Sequence, residues 1–317
     1  MINILEIKDQ WQKMGLESRN LFMLASFMPS PFLSSEFDEI AGRKKSEKHA
    51  IIADFISGNL FNLDNNKIYH NFDTDEISGF LLDYVPKKSI TETIRKLIIY
   101  YENKMPDTPE KELYLAGLYL HADISADNLK YLVETAKRLS ISGEKKKAYI
   151  FFDRALQFFN ENAPHKKTID FYLESVIGSL QASRMTKPLD QIIPVLTDAW
   201  KYSRHFNRWE YLSKINLRLA RALAASGHAQ KAIEYINKTL EIVDIQGIPS
   251  ARILSALCMG QIMFWKGRII EALQSYEKTI SGLEEFGDDS STLMGDSYMG
   301  RVYVINGRIA RGMGMIE

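Results

Sequence analysis

Gly227, Gly267 and Gly307 stand at intervals of 40 residues, and the sequence around them repeats. Seven positions before each glycine lies a small residue, Ala220, Gly260 or Gly300; five positions after it lies another, Ala232, Ala272 or Gly312. Such a repeat is one supersecondary unit copied in tandem, and since one copy cannot bury its own apolar face, successive copies must stack. The segment LSKINLRLARALAASG has helical periodicity and runs to Gly227, where a residue without Cβ takes the left-handed conformation that closes a helix. The segment AQKAIEYINKTLEIV then opens a second helix. Ala220 and Ala232 are short, which predicts that the two helices approach closely as an antiparallel hairpin. LSALCMGQIMFWKG with RIIEALQSYEKTISGL, and MGDSYMGRVYVING with RIARG, restate the unit.

The spacing of small and aromatic residues resembles the tetratricopeptide repeat (TPR), whose consensus period is ~34 residues. With Gly260 as the small residue of the first helix, Met263, Gly267, Ala272, Tyr276 and Thr279 fall at the remaining signature positions. Ala136, Leu139, Gly143, Ala148, Phe152 and Ala155 fill the same positions in residues 129–162. In 171–207 Leu180, Ile192, Leu196 and Ala199 keep the register, but Lys187 stands in the place of the turn glycine and Pro188 is expected at the first position of the second helix. Units at about 129–162, 171–207, 213–246 and 253–286, with an incomplete one at 293–317, place a TPR-like superhelix in residues 106–317. A period longer than the consensus calls for extended helices or a longer inter-repeat loop. Glu317 falls a few residues into the second helix of the last unit, so the array is expected to be a piece of a longer protein.

Residues 1–105 lack the repeat. LESRNLFMLASFM reads as an amphipathic helix stopped by Pro29 and Pro31. Ser34 and Ser35 are suited to cap a short helix that Gly42 ends, and SEKHAIIADFISGN gives a helix ending at Gly58 and Asn59. Two short apolar runs, Leu60–Leu63 and Lys67–Phe72, flank Asp64-Asn65-Asn66, which favours a tight β-hairpin. Helix returns from Asp75 to about Met105. Three helices followed by a two-stranded hairpin is the order of a winged helix.

Leu21-Phe22-Met23-Leu24-Ala25-Ser26, Pro31-Phe32, Gly58-Asn59-Leu60-Phe61 and Tyr69-His70-Asn71-Phe72, followed by helix and then a helical array, resemble the segment after the nucleotide-binding domain of STAND-type signalling ATPases, including maltose-regulon-activator-like transcriptional regulators of bacteria. The resemblance implies an all-α chain with an N-terminal winged-helix-like domain over 1–105, acting as a sensor segment of a regulator whose ATPase lies upstream. It further implies that His70 corresponds to the winged-helix histidine of such ATPases, although a histidine on a hairpin strand is more often structural.

Composition and motifs bound the function. Lys and Arg total 40 and Asp and Glu total 40, so the formal net charge is zero and no surface built for nucleic-acid phosphates is indicated. The candidate recognition helix offers only Lys48 and His49 as contacts alongside Glu47 and Asp54, and Arg43-Lys44-Lys45 is a short basic run. Cys258 is the single cysteine, which excludes an internal disulfide, suits a reducing compartment and reads as a small buried residue beside Met259. No signal-peptide pattern and no apolar run of ~18 residues occurs, so the chain is expected in the cytoplasm. No G-x-x-x-x-G-K-[ST] loop or G-x-S-x-G elbow is present, and the six histidines, His49, His70, His121, His165, His205 and His228, form no H-x-x-x-H pair. Neither a catalytic residue, a metal site nor a cofactor is expected. Function therefore lies in binding a protein, a peptide or a small ligand.

In a stack of helical hairpins the first helices line the inner, concave face. The residue after each small packing position points there: Lys137, Gln181, Arg221, Gln261 and Arg301, with Ser140, Arg184, Ala224, Phe264 and Val304 one turn further on. This polar, partly basic ladder suits an acidic or extended peptide. Two roles accommodate it: a regulatory segment of a larger signalling ATPase or transcription regulator, and a self-standing adaptor or signalling-peptide receptor.

Overall fold

The computed structural model describes residues 2–42, 45–183, 188–246 and 249–286. The chain divides into two compact units, residues 1–135 and 136–317.

The first unit runs α1 (Ile4–Lys13), α2 (Leu16–Phe27), β1 (Phe32–Leu33), α3 (Ser34–Ala41), α4 (Lys45–Ser57), β2 (Phe61–Asp64), β3 (Lys67–His70), α5 (Thr74–Tyr84), α6 (Lys87–Lys104) and α7 (Pro109–Tyr119). α8 (Leu129–Ile141) carries the division between the units. The expected hairpin forms, with Phe61 opposite His70 and Asp64 opposite Lys67, and Asn65 and Asn66 take positive φ (47° and 65°) in its turn. A third strand joins it: β1 pairs antiparallel with β3, giving the order β1-β3-β2. Two residues are too few to show a period, so this strand has no signature in sequence.

Helix boundaries follow local chemistry. The Asn3 side chain accepts from the N–H groups of Leu5 and Glu6 and starts α1. The N-cap of α3 is Leu33, not a serine; the Glu36 carboxylate reaches back to accept the Leu33 N–H at 2.9 Å. Gly42 closes α3 at φ 67°, and α4 closes at Asn59, φ 61°, where the Leu60 N–H meets the Phe55 carbonyl at 2.9 Å. The helix expected to run from Asp75 to Met105 is two. Pro86 forces its predecessor Val85 into extended backbone, ending α5, and itself caps α6. Arg43 and Lys44, with the side chains of Lys45, Glu47, Lys48 and His49, lie outside the described part.

The core of this unit is aromatic. The fully buried Phe22 ring lies within 6.0 Å of Trp11, Phe55, Phe61 and Phe72, mostly edge to face. Lys111, 5% exposed, donates to the carbonyls of Glu102 and Met105 and to Asp107, so a buried ammonium satisfies the carbonyl end of α6.

The second unit continues through α9 (Lys145–Glu161), α10 (Ile169–Ala182), α11 (Leu189–His205), α12 (Trp209–Ala225), α13 (Ala229–Gln246), α14 (Pro249–Trp265) and α15 (Ile269–Phe286). These are hairpins in tandem, as the 40-residue period predicts. Helices take up the extra residues: α12 to α15 are 17 or 18 residues each, and only residues 247–248 separate α13 from α14. Gly143, Gly227 and Gly267 take φ of 87°, 85° and 74°. At each, the next residue donates its N–H five residues back, Glu144 to Leu139, His228 to Leu223 and Arg268 to Met263, which is the Schellman closure. Asn207, at φ 56°, makes the same closure between α11 and α12. Pro188 is the N-cap of α11 rather than its first helical residue.

Ala136, Ala148, Ala220, Ala232 and Ala272 are wholly buried, and Gly260 is buried against Tyr276. One core runs from Ile169 to Ile262 and includes Leu180, Ile192, Leu196, Ala199, Ala220, Ala232 and Ile236; a smaller one gathers Leu257, Met263, Ala272 and Tyr276. Gly300, Gly307 and the unit at 293–317, like Lys187, lie outside the described residues.

Candidate functional site: the face of the first helices

Polar side chains tie each first helix of the second unit to the next. From α8, the Lys137 ammonium lies 3.9 Å from the Glu174 carboxylate of α10. Glu174 also accepts the Tyr211 hydroxyl of α12 at 2.6 Å, and burial, then this carboxylate, pushes the phenol pKa up. Asp170, at the start of α10, takes a two-pronged bond from the Arg208 guanidinium at 2.6 and 3.1 Å. Between α12 and α14 the Arg221 guanidinium donates to the Gln261 amide oxygen at 2.5 Å, and the Cys258 thiol points at the Leu217 carbonyl, 3.7 Å away.

The expected ladder residues take different places on this scaffold. Lys137 is half-buried in its ion pair, and Gln181 is exposed on α10. Arg221 and Gln261 are brought together, and Gln261 is only 4% exposed. Phe264 is half-buried and packs against the smaller core. Arg184 and Arg301 lie outside the described residues. The rungs through Asp170, Arg208, Glu174 and Tyr211 have no counterpart in the expected set. Their one signal in sequence is a carboxylate in the first turns of α10 facing a donor 37 or 38 residues later, slightly out of the 40-residue register.

Electrostatically the face changes along its helices. Its acids, Asp170 and Glu174, sit in the first half of α10 and are engaged. Further along, α12 bears Lys214, Arg218 and Arg221. Arg218 donates to the Lys214 carbonyl at 2.9 Å, and burial, then the charge of Arg221, pulls its pKa down. Burial pushes the Cys258 thiol up to about 12, so this cysteine is a protonated packing residue. Among the described residues no group of three or more His, Cys, Asp or Glu side chains is arranged to hold a metal, and no helix is long and apolar enough to cross a membrane.

His70 in the first unit is enclosed by rings, stacked on Phe72 at 5.1 Å and flanked by Phe32 and Phe61. Its Nε2 bonds the Ala25 carbonyl at 2.9 Å, and its Nδ1 is buried with no partner. Burial lowers its pKa against the raising effect of the Ala25 bond. The ring is built into the core.

No protein-family model and no curated protein matches the sequence. Solved structures do resemble the fold. A STAND protein with a tetratricopeptide repeat sensor from Pyrococcus horikoshii is 10% identical over 96% of this chain, with a TM-score of 0.48, and this chain spans 56% of that protein. A Podosopora anserina kinesin light chain of nearly identical TPR-like repeats is 17% identical over 61% of this chain and 94% of its own, with a TM-score of 0.46. A Rap protein, solved in complex with Competence and Sporulation Factor, is 11% identical over 73% of this chain and 75% of its own, with a TM-score of 0.50. The likeness is one of fold: this chain carries a TPR-like array of helical hairpins.

Proposed function

We propose that the chain is a non-catalytic regulatory segment of a larger signalling ATPase or transcription regulator, and that the first-helix face of its array binds a protein or peptide. The row α8, α10, α12 and α14, tied by polar rungs and bearing exposed Gln181 beside the basic stripe of α12, carries this reading. In this reading residues 1–105 form a winged-helix-like domain and 106–317 the array. The order α2-β1-α3-α4-β2-β3, with its β1-β3-β2 sheet, supports the winged helix. The chain works in the cytoplasm, its array senses the ligand, and the N-terminal domain relays that state to an upstream nucleotide domain.

Affinity capture from source cells with the full-length protein tests the binding face. Gln181→Trp, which fills it with a bulky ring, should abolish capture of the partner while the far-ultraviolet circular dichroism stays unchanged. Undiminished capture would refute the assignment. A phosphate loop upstream in the full reading frame supports the ATPase context. The second role, a self-standing adaptor or signalling-peptide receptor, is favoured by the coverage of three quarters of a Rap protein that was solved in complex with Competence and Sporulation Factor.

A further inference from the structure

The basic stripe of α12 lacks the carboxylates that neutralise the rest of the face. Lys214, Arg218 and Arg221 stand at spacings of four and three, so they share one side of the helix over ~10 Å. Among the described residues none of the three has a carboxylate partner. Lys214 lies 5.9 Å over the Tyr211 ring, Arg218 bonds a backbone carbonyl, and Arg221 bonds the neutral amide of Gln261. The one acid of α12, Glu210, forms no ion pair with Lys214 one turn away.

The helices on either side supply no counter-charge. α14 contains no Asp or Glu, and its one charged residue, Arg252, is paired with Asp244 at 2.6 Å. On α10 no acid follows Glu174, and both acids of that helix are engaged with Arg208, Tyr211 and Lys137. Two guanidinium groups are thus held close enough for one to disfavour the charge of the other, at a half-buried position where Coulomb interactions are stronger than in bulk water. A folded chain that keeps such a pair uncompensated gains stabilisation when an anion arrives between them.

We infer that Lys214, Arg218 and Arg221 form an anion-binding stripe for an extended acidic segment of a protein partner, which meets them with side-chain carboxylates. Charge complementarity selects this occupant. An extended chain advances ~3.3 Å per residue and returns its side chains to one face at every second residue, so carboxylates at alternate positions, ~7 Å apart, lie along the whole stripe. The inference rests on the proposed binding role of this face and narrows it to a ligand class.

Fluorescence anisotropy of the full chain with a labelled ten-residue peptide of alternating glutamate and glycine tests it, against the same peptide with glutamine for glutamate. The glutamate peptide should bind at least tenfold more tightly, with an affinity that falls as salt rises. Lys214→Gln with Arg218→Gln should remove that preference, whereas Lys231→Gln, at an exposed position of α13, should leave it intact. Lys214 is exposed, so Lys214→Gln alone keeps the fold and should weaken the glutamate peptide in the same direction should the double variant lose its helical dichroism. Equal affinity for the two peptides, an unchanged preference in these variants, or complete displacement by millimolar phosphate would overturn the inference. If Gln181→Trp blocks partner capture while the two peptides bind equally, the binding face stands and its acidic specificity falls.

Discussion

Gly260 makes room for the ring of Tyr276: a Cβ built on Gly260 would lie 2.6 Å from Cε1 and 2.7 Å from Cδ1. Tyr276 is only 1% exposed, so the ring has nowhere to retreat. Gly260→Ala should therefore destabilise the array by about 1–3 kcal/mol through overpacking, against the gain of about 1 kcal/mol that alanine brings to a helix. Gly117, a helical glycine of α7 with open space around it, is the contrast. Gly117→Ala should stabilise by up to ~1 kcal/mol. Urea midpoints of the two variants are expected to move in opposite directions.

The turn glycines act through backbone conformation alone. A Cβ on Gly267 would touch nothing within 4 Å, yet its φ is 74°. Gly267→Val should cost at least about 1–2 kcal/mol, the penalty of a left-handed conformation for a residue with Cβ. Asn207 holds the same closure at φ 56°. Asn207→Gly should be neutral or slightly stabilising by thermal melting.

His70 ties the first unit to pH. Its Nδ1 is buried without a partner and its pKa lies below 6.5, so the unfolded chain takes up the proton at a higher pH than the folded one. Its contribution to stability is complete above about pH 6.5 and is lost as pH falls below that value. Urea unfolding of wild type and His70→Phe between pH 8 and pH 5, taken as about the span in which histidine titrates, should show a shallower acid loss in the variant. An identical slope would exclude His70 as its source.

Cys258 should be inert in the native chain. It is 0% exposed, its thiol faces the Leu217 carbonyl and its pKa is pushed up to about 12. Iodoacetamide at pH about 8, near the ordinary cysteine pKa, should leave it unmodified until denaturant is added, as read by intact mass. Rapid labelling of folded protein would show that α12 and α14 separate there.

Glycine made the array legible because a residue without Cβ is favoured at a left-handed turn, and that preference recurs 40 residues apart at Gly227 and Gly267. Asn207 meets the same geometric demand with another residue, so its turn shows no repeat signature. β1 and the break at Pro86 escaped for opposite reasons: two residues carry no period, while one apolar pattern runs through both α5 and α6. On the first-helix face, Arg221 and Gln261 stand one 40-residue period apart and meet in a hydrogen bond. Asp170 with Arg208 and Glu174 with Tyr211 depend on how far one helix is displaced along its neighbour, a quantity that the period does not contain.

The rungs between first helices join residues 37 to 41 positions apart, each reaching only the adjoining hairpin. Such an array is a line of nearest-neighbour couplings. An event at Arg221 strains its bond to Gln261 first, and α14 responds before any more distant helix can. Coupling of this kind is reciprocal, so a change at either end of the row reaches the other only through every hairpin between them.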